Sequence, residues 1–457
     1  MDTYSVSENR GAESRGGALL LTSAIVAALG SFLFGFDTAV ISGTTQALRG
    51  VYSLSDNLLG FTVASALIGT LFGAPLVGRP SDRWGRRPVL AVLGVLYFVS
   101  AVGCAFAWDW YSLLIFRWIG GIAVGGASVV SPVYITEIAP ARRRGLLVAV
   151  SQLNIVVGIL AAYFSNYLVA YVLGAEHPDA WRWMFGIEAA PALLFLVASL
   201  GIPESPRWLV KKGHLAKAEE VLTRFGHEAP RREVKEIVQS LGSETAGVRE
   251  RLFQRRYLRP LLLAGMIAAF NQLDGINAII YYTADIFSMA GADKASALMQ
   301  SVIVGLTNLV MTIVAMLLID RCGRKLLLLV GSVTFVFSHA LAAWVFYTHA
   351  QGWIVIAALM GIVGSHAYSQ GAVVWVIINE LLPNVIRAVG SAAITFLLWL
   401  LDIAVSWSFP VVAGRSGGAV FAFFAVMMVL QFFLVLKYLP ETKGVSLEEL
   451  QTQLASS

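Results

Sequence analysis

Three charged motifs occur twice in this chain, and the two copies of each lie about 240 residues apart. The first copies are Asp82-Arg83-Trp84-Gly85-Arg86-Arg87, Glu137-Ile138-Ala139-Pro140 and Pro203-Glu204-Ser205. The second copies are Asp320-Arg321-Cys322-Gly323-Arg324-Lys325, Glu380-Leu381-Leu382-Pro383 and Pro440-Glu441-Thr442. Motifs that return in the same order at one nearly constant spacing indicate a duplicated structural unit.

The segments between these motifs are long and apolar. Hydrophobic residues make up 57% of the chain and charged residues only 13%, whereas soluble domains carry about 25% charged residues. This composition excludes an ordinary soluble protein and predicts one that crosses a membrane several times. The net charge of +5 comes largely from basic residues in short loops, which orient membrane helices. It therefore does not predict a nucleic-acid partner.

Twelve apolar stretches are long enough to cross a bilayer core of about 30 Å, which takes about 20 helical residues. They lie at 19–41, 57–78, 87–107, 111–136, 145–173, 182–201, 259–289, 296–319, 325–348, 353–381, 386–412 and 417–439. Six fall in each copy of the repeat. The predicted fold class is an all-α membrane protein, with twelve transmembrane helices in two pseudosymmetric six-helix bundles.

The basic loop residues follow the even-numbered spans and therefore lie on one side, which the positive-inside rule predicts to be cytoplasmic. Both termini are expected on that side. Between the bundles, charged residues alternate with apolar ones at helical spacing, which predicts short amphipathic helices in water. The predicted segments are a tail at 1–18, a first bundle at 19–201, a linker at 202–257, a second bundle at 258–439 and a tail at 440–457.

Ionisable residues inside membrane spans are costly and are functional candidates by default. Asp37 lies deep in the first span and Arg117 near the start of the fourth. A carboxylate and a guanidinium can neutralise each other across two helices. One interpretation is a switch, in which a proton on Asp37 releases Arg117. The other is a permanent ion pair that only fixes how the helices pack.

Polar side chains also cluster in the seventh span. Asn271, Asp274 and Asn277 are spaced three apart, which predicts one shared helix face, and Gln272 flanks that face. Amides both donate and accept hydrogen bonds, so this set suits a ligand covered in hydroxyl groups. Interhelical hydrogen bonding is the alternative for any single amide. Other candidates for the same site are Gln152, Asn308, Trp375 and Trp399.

Enzymatic interpretations lack support in the sequence. Cysteine and histidine residues do not occur at metal-ligand spacing, and no strand precedes the glycines between Gly120 and Gly126, so they do not predict a phosphate loop. Close helix packing explains those glycines. His366 is more often structural than catalytic in such a setting. We expect no enzyme activity, no metal and no cofactor.

These motifs resemble those of the sugar porters of the major facilitator superfamily, over nearly all of residues 19–450. The motif from Asp82 to Arg87 is, by itself, typical of the whole superfamily and not of sugar porters in particular. The seventh-span signature around Gln272 and the two Pro-Glu motifs are specific to sugar porters. The matching segments are Gly78 to Arg87, Glu137 to Gly145, Pro203 to Leu209, Gln272 to Asn277 and Pro440 to Gly444.

The resemblance implies a role for each matching position. Proton-coupled members carry an acid at the position of Asp37 and an arginine at the position of Arg117. Facilitative animal glucose carriers have Asn at the position of Asp37. Positions that contact sugar in the family are Gln152, Asn271, Gln272, Asn277, Asn308, Trp375, Trp399, Phe34 and Tyr281. Positions that resemble the cytoplasmic gate of the outward-open state are Asp82, Arg86, Glu137, Arg144, Glu204, Asp320, Arg324, Glu380 and Arg387.

The chain departs from the family pattern at three places. Leu398 replaces an amide, and Gly371-Ala372-Val373-Val374-Trp375 lacks the usual proline, which predicts a straighter tenth helix. Asp274 replaces a small or apolar residue. Helices 1 and 7 are equivalent under the repeat, so Asp274 could face Asp37, as a second proton site or as a protonated sugar ligand. A bond to another polar neighbour is the alternative.

The resemblance implies a secondary active transporter that imports a monosaccharide, a hexose or a pentose, with a proton by alternating access. The expected partners are the monosaccharide, the proton and the lipid bilayer, with the protein acting as a monomer in the cell membrane. A proton-independent uniporter and a non-transporting sugar sensor are the alternatives. The acid at Asp37 argues against the first, and a chain that ends soon after Leu450 argues against the second.

Overall fold

The computed structural model describes residues 3–140, 144–245, 252, 254–383 and 385–443. Within these ranges it does not describe the side chains of residues 3–15, 144–146, 148, 243–245 and 320. Two residues predicted for the gate, Arg144 and Asp320, therefore have side chains outside the described part. The described chain is almost entirely helical.

The N-terminal half, as used below, comprises the helices before residue 202. Its elements are α1 (Thr3–Val40), a 3₁₀ turn (Ile41–Gly43), α2 (Thr45–Val51), α3 (Asp56–Leu76), α4 (Gly78–Trp84), α5 (Arg86–Ala105), α6 (Trp110–Ile138), α7 (Arg144–Leu173), α8 (Ala180–Ile187) and α9 (Ala189–Gly201). Three short helices follow: α10 (Pro206–Lys211), α11 (Leu215–Arg224) and α12 (Pro230–Thr245).

The C-terminal half begins at residue 255. Its elements are α13 (Arg255–Leu273), α14 (Ile276–Tyr281), α15 (Thr283–Met289), α16 (Lys294–Cys322), α17 (Arg324–Thr348), α18 (Trp353–Tyr368), α19 (Gln370–Leu381), α20 (Arg387–Arg415) and α21 (Gly417–Tyr438). Twelve spans of the described residues are long and apolar enough to cross a membrane. This confirms the predicted fold class. α1 begins at Thr3, so the helix starts well before the apolar stretch predicted from residue 19.

Glycines let the helices of each half approach closely. A Cβ atom on Gly121 of α6 would overlap the carbonyl oxygen of Ala66 in α3, and one on Gly69 would overlap the carbonyl oxygen of Trp118. Lipid supplies no hydrophobic drive for helix association, so backbone contact through small residues provides much of it. Of the glycines predicted to serve helix packing in α6, Gly121 and Gly125 face α3, whereas Gly120 and Gly126 face α5.

The two halves meet through α3 with α20 and through α7 with α16. Helix directions alternate along the chain, so Arg86 and Arg324 mark one end of the assembly, the basic end. Ser42 and Asn57 mark the other, the opposite end. The short helix α10 lies at the basic end, because Trp208 donates its indole N–H to the Asp82 carbonyl oxygen at 3.0 Å.

The seventh span is broken, which contradicts the prediction of one continuous polar face. α13 ends at Leu273 and α14 begins at Ile276, because Gly275 adopts the left-handed conformation with φ of +76°. Glycine reaches this region without the steric cost that a Cβ imposes. Asp274 still has helical backbone angles at the end of α13, so the break separates Asn271 and Asp274 from Asn277 in α14.

The tenth span is also interrupted, so the prediction of a straighter helix was wrong. α18 ends at Tyr368 and α19 begins at Gln370. At the break, the Ser369 hydroxyl donates to the Ser365 carbonyl oxygen at 2.5 Å, and Ser369 has φ of −113° and ψ of −89°. A serine side chain that competes with the backbone for hydrogen bonds can interrupt a helix without proline.

We predict that Gly121→Val lowers stability by about 1–3 kcal/mol, the usual cost of overpacking. The branched side chain has no room beside Ala66. The thermal unfolding midpoint in detergent measures this. Gly201→Val is the matched control, because no atom lies within 4 Å of a Cβ at Gly201. Equal midpoints for the two variants would contradict the close α3–α6 contact.

Candidate sugar and proton site

Three amide side chains at the α13–α14 break form a chain of hydrogen bonds. The Gln272 side-chain nitrogen donates to the Asn271 side-chain oxygen at 3.0 Å, and the Asn277 nitrogen donates to the Gln272 oxygen at 2.9 Å. Asn271 and Gln272 are buried, whereas Asn277 is partly exposed. Because each amide both donates and accepts, the chain retains groups that can bind hydroxyls.

Two aromatic rings join the halves beside these amides. The rings of Phe34 in α1 and Trp399 in α20 lie 6.0 Å apart between centroids. The Trp399 indole N–H is buried and makes no hydrogen bond among the described residues. A buried donor without a partner costs about 1–3 kcal/mol, so this N–H is a point where a polar ligand would gain affinity. Tyr281 is buried in α14.

Three other predicted sugar contacts are not hydrogen-bonded to the amide chain among the described residues. Gln152 in α7 is partly exposed, and Asn308 in α16 is buried. Trp375 in α19 is 42% exposed. Within the described ranges, no hydrogen bond links any of the three to the amide chain. Hydrogen bonds therefore connect Asn271, Gln272 and Asn277, and the role of the other three in sugar binding stays a prediction.

Asp37 and Arg117 form a buried ion pair in the N-terminal half. An Arg117 guanidinium nitrogen donates to the Asp37 carboxylate at 2.8 Å, and their side chains are only 2% and 6% exposed. The Phe185 ring faces the guanidinium at 5.7 Å. Breaking a buried pair leaves an uncompensated charge and costs several kcal/mol. The Asp37 bond therefore holds α6 against α1.

Sequence analysis missed a third member of this charge group. Glu188 lies at the junction of α8 and α9, is 2% exposed, and acts electrostatically on both Asp37 and Arg117. It falls inside a predicted span, so the rule that singled out Asp37 applied to it as well. Two acids and one guanidinium thus share the interior of the N-terminal half.

Asp274 bonds inside the C-terminal half rather than to Asp37. One of its carboxylate oxygens lies 2.9 Å from His366 Nδ1, and the other accepts the Ile276 backbone N–H at 2.9 Å. A further acid missed as a site residue, Asp402 in α20, accepts the Ser406 hydroxyl at 3.0 Å and lies beside Tyr281. The two halves therefore carry separate buried acid clusters.

At the basic end of the N-terminal half, the predicted gate residues contact one another. Arg86 binds both oxygens of Glu137, each at 2.8 Å, and reaches Asp82 at 3.3 Å. Burial raises the pKa of Asp82, but bonds from Lys211 and Arg86 more than offset it, so the pKa lies below its ordinary value. This charge is therefore kept at neutral pH.

The two Pro-Glu motifs cap equivalent helices. Glu204 accepts the Arg86 N–H at 2.9 Å at the start of α5, and Glu441 accepts the Arg324 N–H at 3.0 Å at the start of α17. A carboxylate at a helix N-terminus satisfies free N–H groups and complements the helix dipole. Burial raises the pKa of Glu204, and hydrogen bonds from Ser205 and the α5 start only partly offset this.

At the basic end of the C-terminal half, the described gate residues also contact groups of their own half. Arg324 lies 3.6 Å from Glu380, and Arg387 donates to the Leu382 carbonyl oxygen at 3.2 Å. These contacts, like those of Arg86, stay within one half. In the parts of the chain described, the gate residues of the two halves are not bonded to each other.

Hydrogen bonds between the halves lie at the opposite end. The Tyr163 hydroxyl in α7 donates to the Ile280 carbonyl oxygen at 2.8 Å. The Ser42 hydroxyl accepts the Ala284 backbone N–H at 3.1 Å. The Trp407 indole N–H in α20 donates to the Asn57 side-chain oxygen in α3 at 2.9 Å. The opposite end is therefore closed.

Comparison with known proteins agrees with this architecture. The family model described as "Sugar (and other) transporter" matches residues 23–454. The chain belongs to this sugar transporter family. It is 38% identical to the D-xylose-proton symporter of Escherichia coli (strain K12), over 93% of this chain and 94% of that protein. It is 37% identical to the arabinose-proton symporter of Bacillus subtilis (strain 168), over 96% and 95% of the two chains.

A solved structure of the same family supports the fold. The xylose transporter XylE from E. coli in its inward-open conformation superposes with a TM-score of 0.85. The sequences are 36% identical, and the match covers 95% of this chain and 99% of that one. The predicted resemblance to the sugar porters is confirmed.

We predict that Asn57→Ala favours opening of the opposite end. The variant loses the bond to Trp407, and one hydrogen bond is worth about 0.5–1.5 kcal/mol, or a shift of about 2- to 13-fold in the population ratio. Spin-label distances across the opposite end measure that ratio. Asn379→Ala is the control, because Asn379 bonds only within its own half. Unchanged distance distributions in Asn57→Ala would argue against this closure.

Proposed function

We propose that this protein imports a monosaccharide, a pentose or a hexose, together with a proton, by alternating access. The observation that carries the proposal is the buried Asp37–Arg117 pair, which lies in the same half as Phe34, part of the sugar site. The relatives named as xylose–proton and arabinose–proton symporters support it. An ionisable residue inside a membrane span is costly and marks a functional site by default, which favours a proton-coupled transporter over a uniporter.

The proton acts through the Asp37–Arg117 bond. Neutralising Asp37 removes the charge that holds Arg117, and the guanidinium is then free to turn toward Glu188, which already acts on it. α6 loses its charged tie to α1 as a result. The proton thus lowers the cost of moving these helices, and its release on the other side restores the tie.

The sugar binds between the halves. Its hydroxyls replace or extend the hydrogen bonds of Gln272 and Asn277, and one hydroxyl or ring oxygen accepts the free indole N–H of Trp399. Phe34 supplies an apolar surface for the C–H face of the sugar. Since Phe34 and Trp399 belong to different halves, a ligand placed beside both is sensitive to their relative position.

The structure corresponds to an inward-facing state. Its opposite end is closed by bonds between the halves, and it resembles the inward-open form of the xylose transporter. In the outward-facing state the basic end closes instead, through the gate residues around Arg86 and Arg324. Both termini and the helices α10 to α12 lie on the cytoplasmic side, as the basic loops indicate. The protein acts as a monomer in the lipid bilayer.

The first functional prediction concerns Asp37→Asn. Neutral Asn mimics the protonated acid permanently, and Glu188 still balances Arg117, so the fold should persist. Proton-driven accumulation should fall to an inside-to-outside sugar ratio of about 1, the value without coupling. Sugar counterflow, which needs no proton gradient, should remain measurable. Uptake and counterflow of radiolabelled D-xylose, L-arabinose and D-glucose in liposomes test both.

Glu176→Gln is the matched control, because Glu176 is exposed in the loop between α7 and α8. It should accumulate sugar as the parent does. Accumulation against a gradient by Asp37→Asn would show that Asp37 is not the coupling site. Absence of accumulation by the parent, with counterflow intact, would favour the uniporter.

The second functional prediction concerns Gln272→Ala. The amide of Gln272 connects Asn271 and Asn277, and loss of a buried hydrogen-bond partner costs about 1–3 kcal/mol, equivalent to about 5- to 150-fold in affinity. Calorimetry with the transported sugar should show this weakening. Gln351→Ala, at an exposed loop position, should bind as the parent does. Parental affinity in Gln272→Ala would remove this residue from the sugar site.

A further inference from the structure

Asp274 and His366 connect the two broken spans of the C-terminal half. Asp274 lies at the α13–α14 break and His366 in the last turn of α18, three residues before the break at Ser369. The 2.9 Å contact between them joins segments 92 residues apart in sequence. The Asp274 side chain is fully buried, whereas the His366 side chain is 17% exposed. Of the two side chains, only the His366 imidazole is partly exposed at the protein surface, so a proton would enter the pair through that ring.

We propose that Asp274 and His366 form a proton-binding clasp, and that the proton held by this clasp raises the affinity of the neighbouring sugar site. The proposal rests on the function proposed above and adds a second proton-dependent element to it. A carboxylate buried in a membrane protein needs a charge partner. With the proton on His366 the pair is neutral overall. Without that proton, the buried carboxylate loses its counter-charge.

The clasp reaches the sugar site through the backbone. The second Asp274 oxygen accepts the N–H of Ile276, the first residue of α14, and the next residue is Asn277. The Asn277 amide in turn bonds Gln272. The position of the Asp274 carboxylate therefore sets how Asn277 meets Gln272. Loss of the counter-charge draws the carboxylate toward water and disturbs this arrangement.

Other titratable groups that face the pair are few among the described residues. From α17, His339 donates its Nε2 proton to the Asp274 carbonyl oxygen at 3.0 Å. From α20, Asp402 acts electrostatically on Asp274 and has Tyr281 of α14 beside it. The remaining neighbours are uncharged: Phe424 of α21 packs at Gly275, Gly371 of α19 lies against the His366 ring, and Met311 and Thr307 of α16 face Gly364.

Asp402 also bonds Tyr281 and Asn277, so it is a second titratable acid beside the sugar site. His339 is fully buried, and its donated bond requires only a neutral ring. Neither group contacts the His366 imidazole. The test therefore neutralises Asp402 as well as Asp37, so that a remaining pH step is carried by Asp274 and His366.

The experiment uses full-length protein in nanodiscs that carries Asp37→Asn and Asp402→Asn, so that neither of these acids can titrate. Glu188 is unchanged in every variant, so any step that depends on it is common to all of them. The probe is D-xylose, or the monosaccharide that counterflow selects. The Kd should rise about tenfold between about pH 5 and about pH 9, in a single one-proton step. Adding Asp274→Asn or His366→Gln should abolish this step, because both replacements keep hydrogen-bonding groups but cannot titrate in this range.

Two substitutions serve as matched controls in the same background. His349→Asn changes an exposed histidine whose φ of 53° Asn tolerates,. Asp293→Asn changes an exposed helix cap that Asn replaces well,. Both should keep the pH step. The proposal is overturned if the pH step persists in Asp274→Asn or His366→Gln, or if the background protein itself shows no pH step. Neither result bears on the role of Asp37 in coupling.

A second measurement does not depend on sugar binding by the Asp274 or His366 variants. By linkage, a proton that raises sugar affinity tenfold implies that sugar raises the titration midpoint of His366 by about one pH unit. Nuclear magnetic resonance of histidine-labelled Asp37→Asn protein measures this midpoint with and without sugar, with the His366 signal assigned by its loss in His366→Gln. An unshifted midpoint refutes the clasp even when sugar binds normally.

Discussion

A polar group inside a bilayer has to find its partner within the protein, because lipid offers no hydrogen bonds. This constraint shapes the interior of the molecule. Asp37 is held by Arg117, Asp274 by His366, and Asp402 by Ser406. Each pair joins groups that would be costly alone, so each binds one helix turn to another. Because these groups gather between helices rather than facing lipid, the same residues that stabilise the fold also form its polar interior.

The same constraint determines which residues lie at the breaks in the helices. An interrupted membrane helix exposes backbone groups that need new partners. At the α13–α14 break, the Asp274 carboxylate accepts the Ile276 N–H and His339 donates to the Asp274 carbonyl oxygen. Polar side chains therefore collect where helices are broken, and hydroxyl-rich ligands bind to polar side chains. The sugar site and the least regular part of the C-terminal half coincide for a physical reason.

Much of this architecture was predictable from sequence. Twelve helices followed from the length and apolar character of the spans, and the partnership of Asp37 with Arg117 followed from the cost of isolated charge. The break at Gly275 could not be predicted in this way. The three-residue spacing of Asn271, Asp274 and Asn277 in the sequence is the same whether the helix is continuous or broken. The His366 partner of Asp274 depends on tertiary packing. Glu188 could have been found, because it obeys the rule applied to Asp37.

The closure at the opposite end has a distinctive composition. Two of its bonds use the main chain of the seventh span: Tyr163 donates to the Ile280 carbonyl oxygen, and Ser42 accepts the Ala284 N–H. Substituting Ile280 or Ala284 leaves those backbone groups in place. The side chains of Ile280 and Ala284 can therefore change without loss of these two bonds, provided that the hydroxyls of Tyr163 and Ser42 remain. Thr283 is constrained differently, because its own hydroxyl lies 2.9 Å from that of Tyr163.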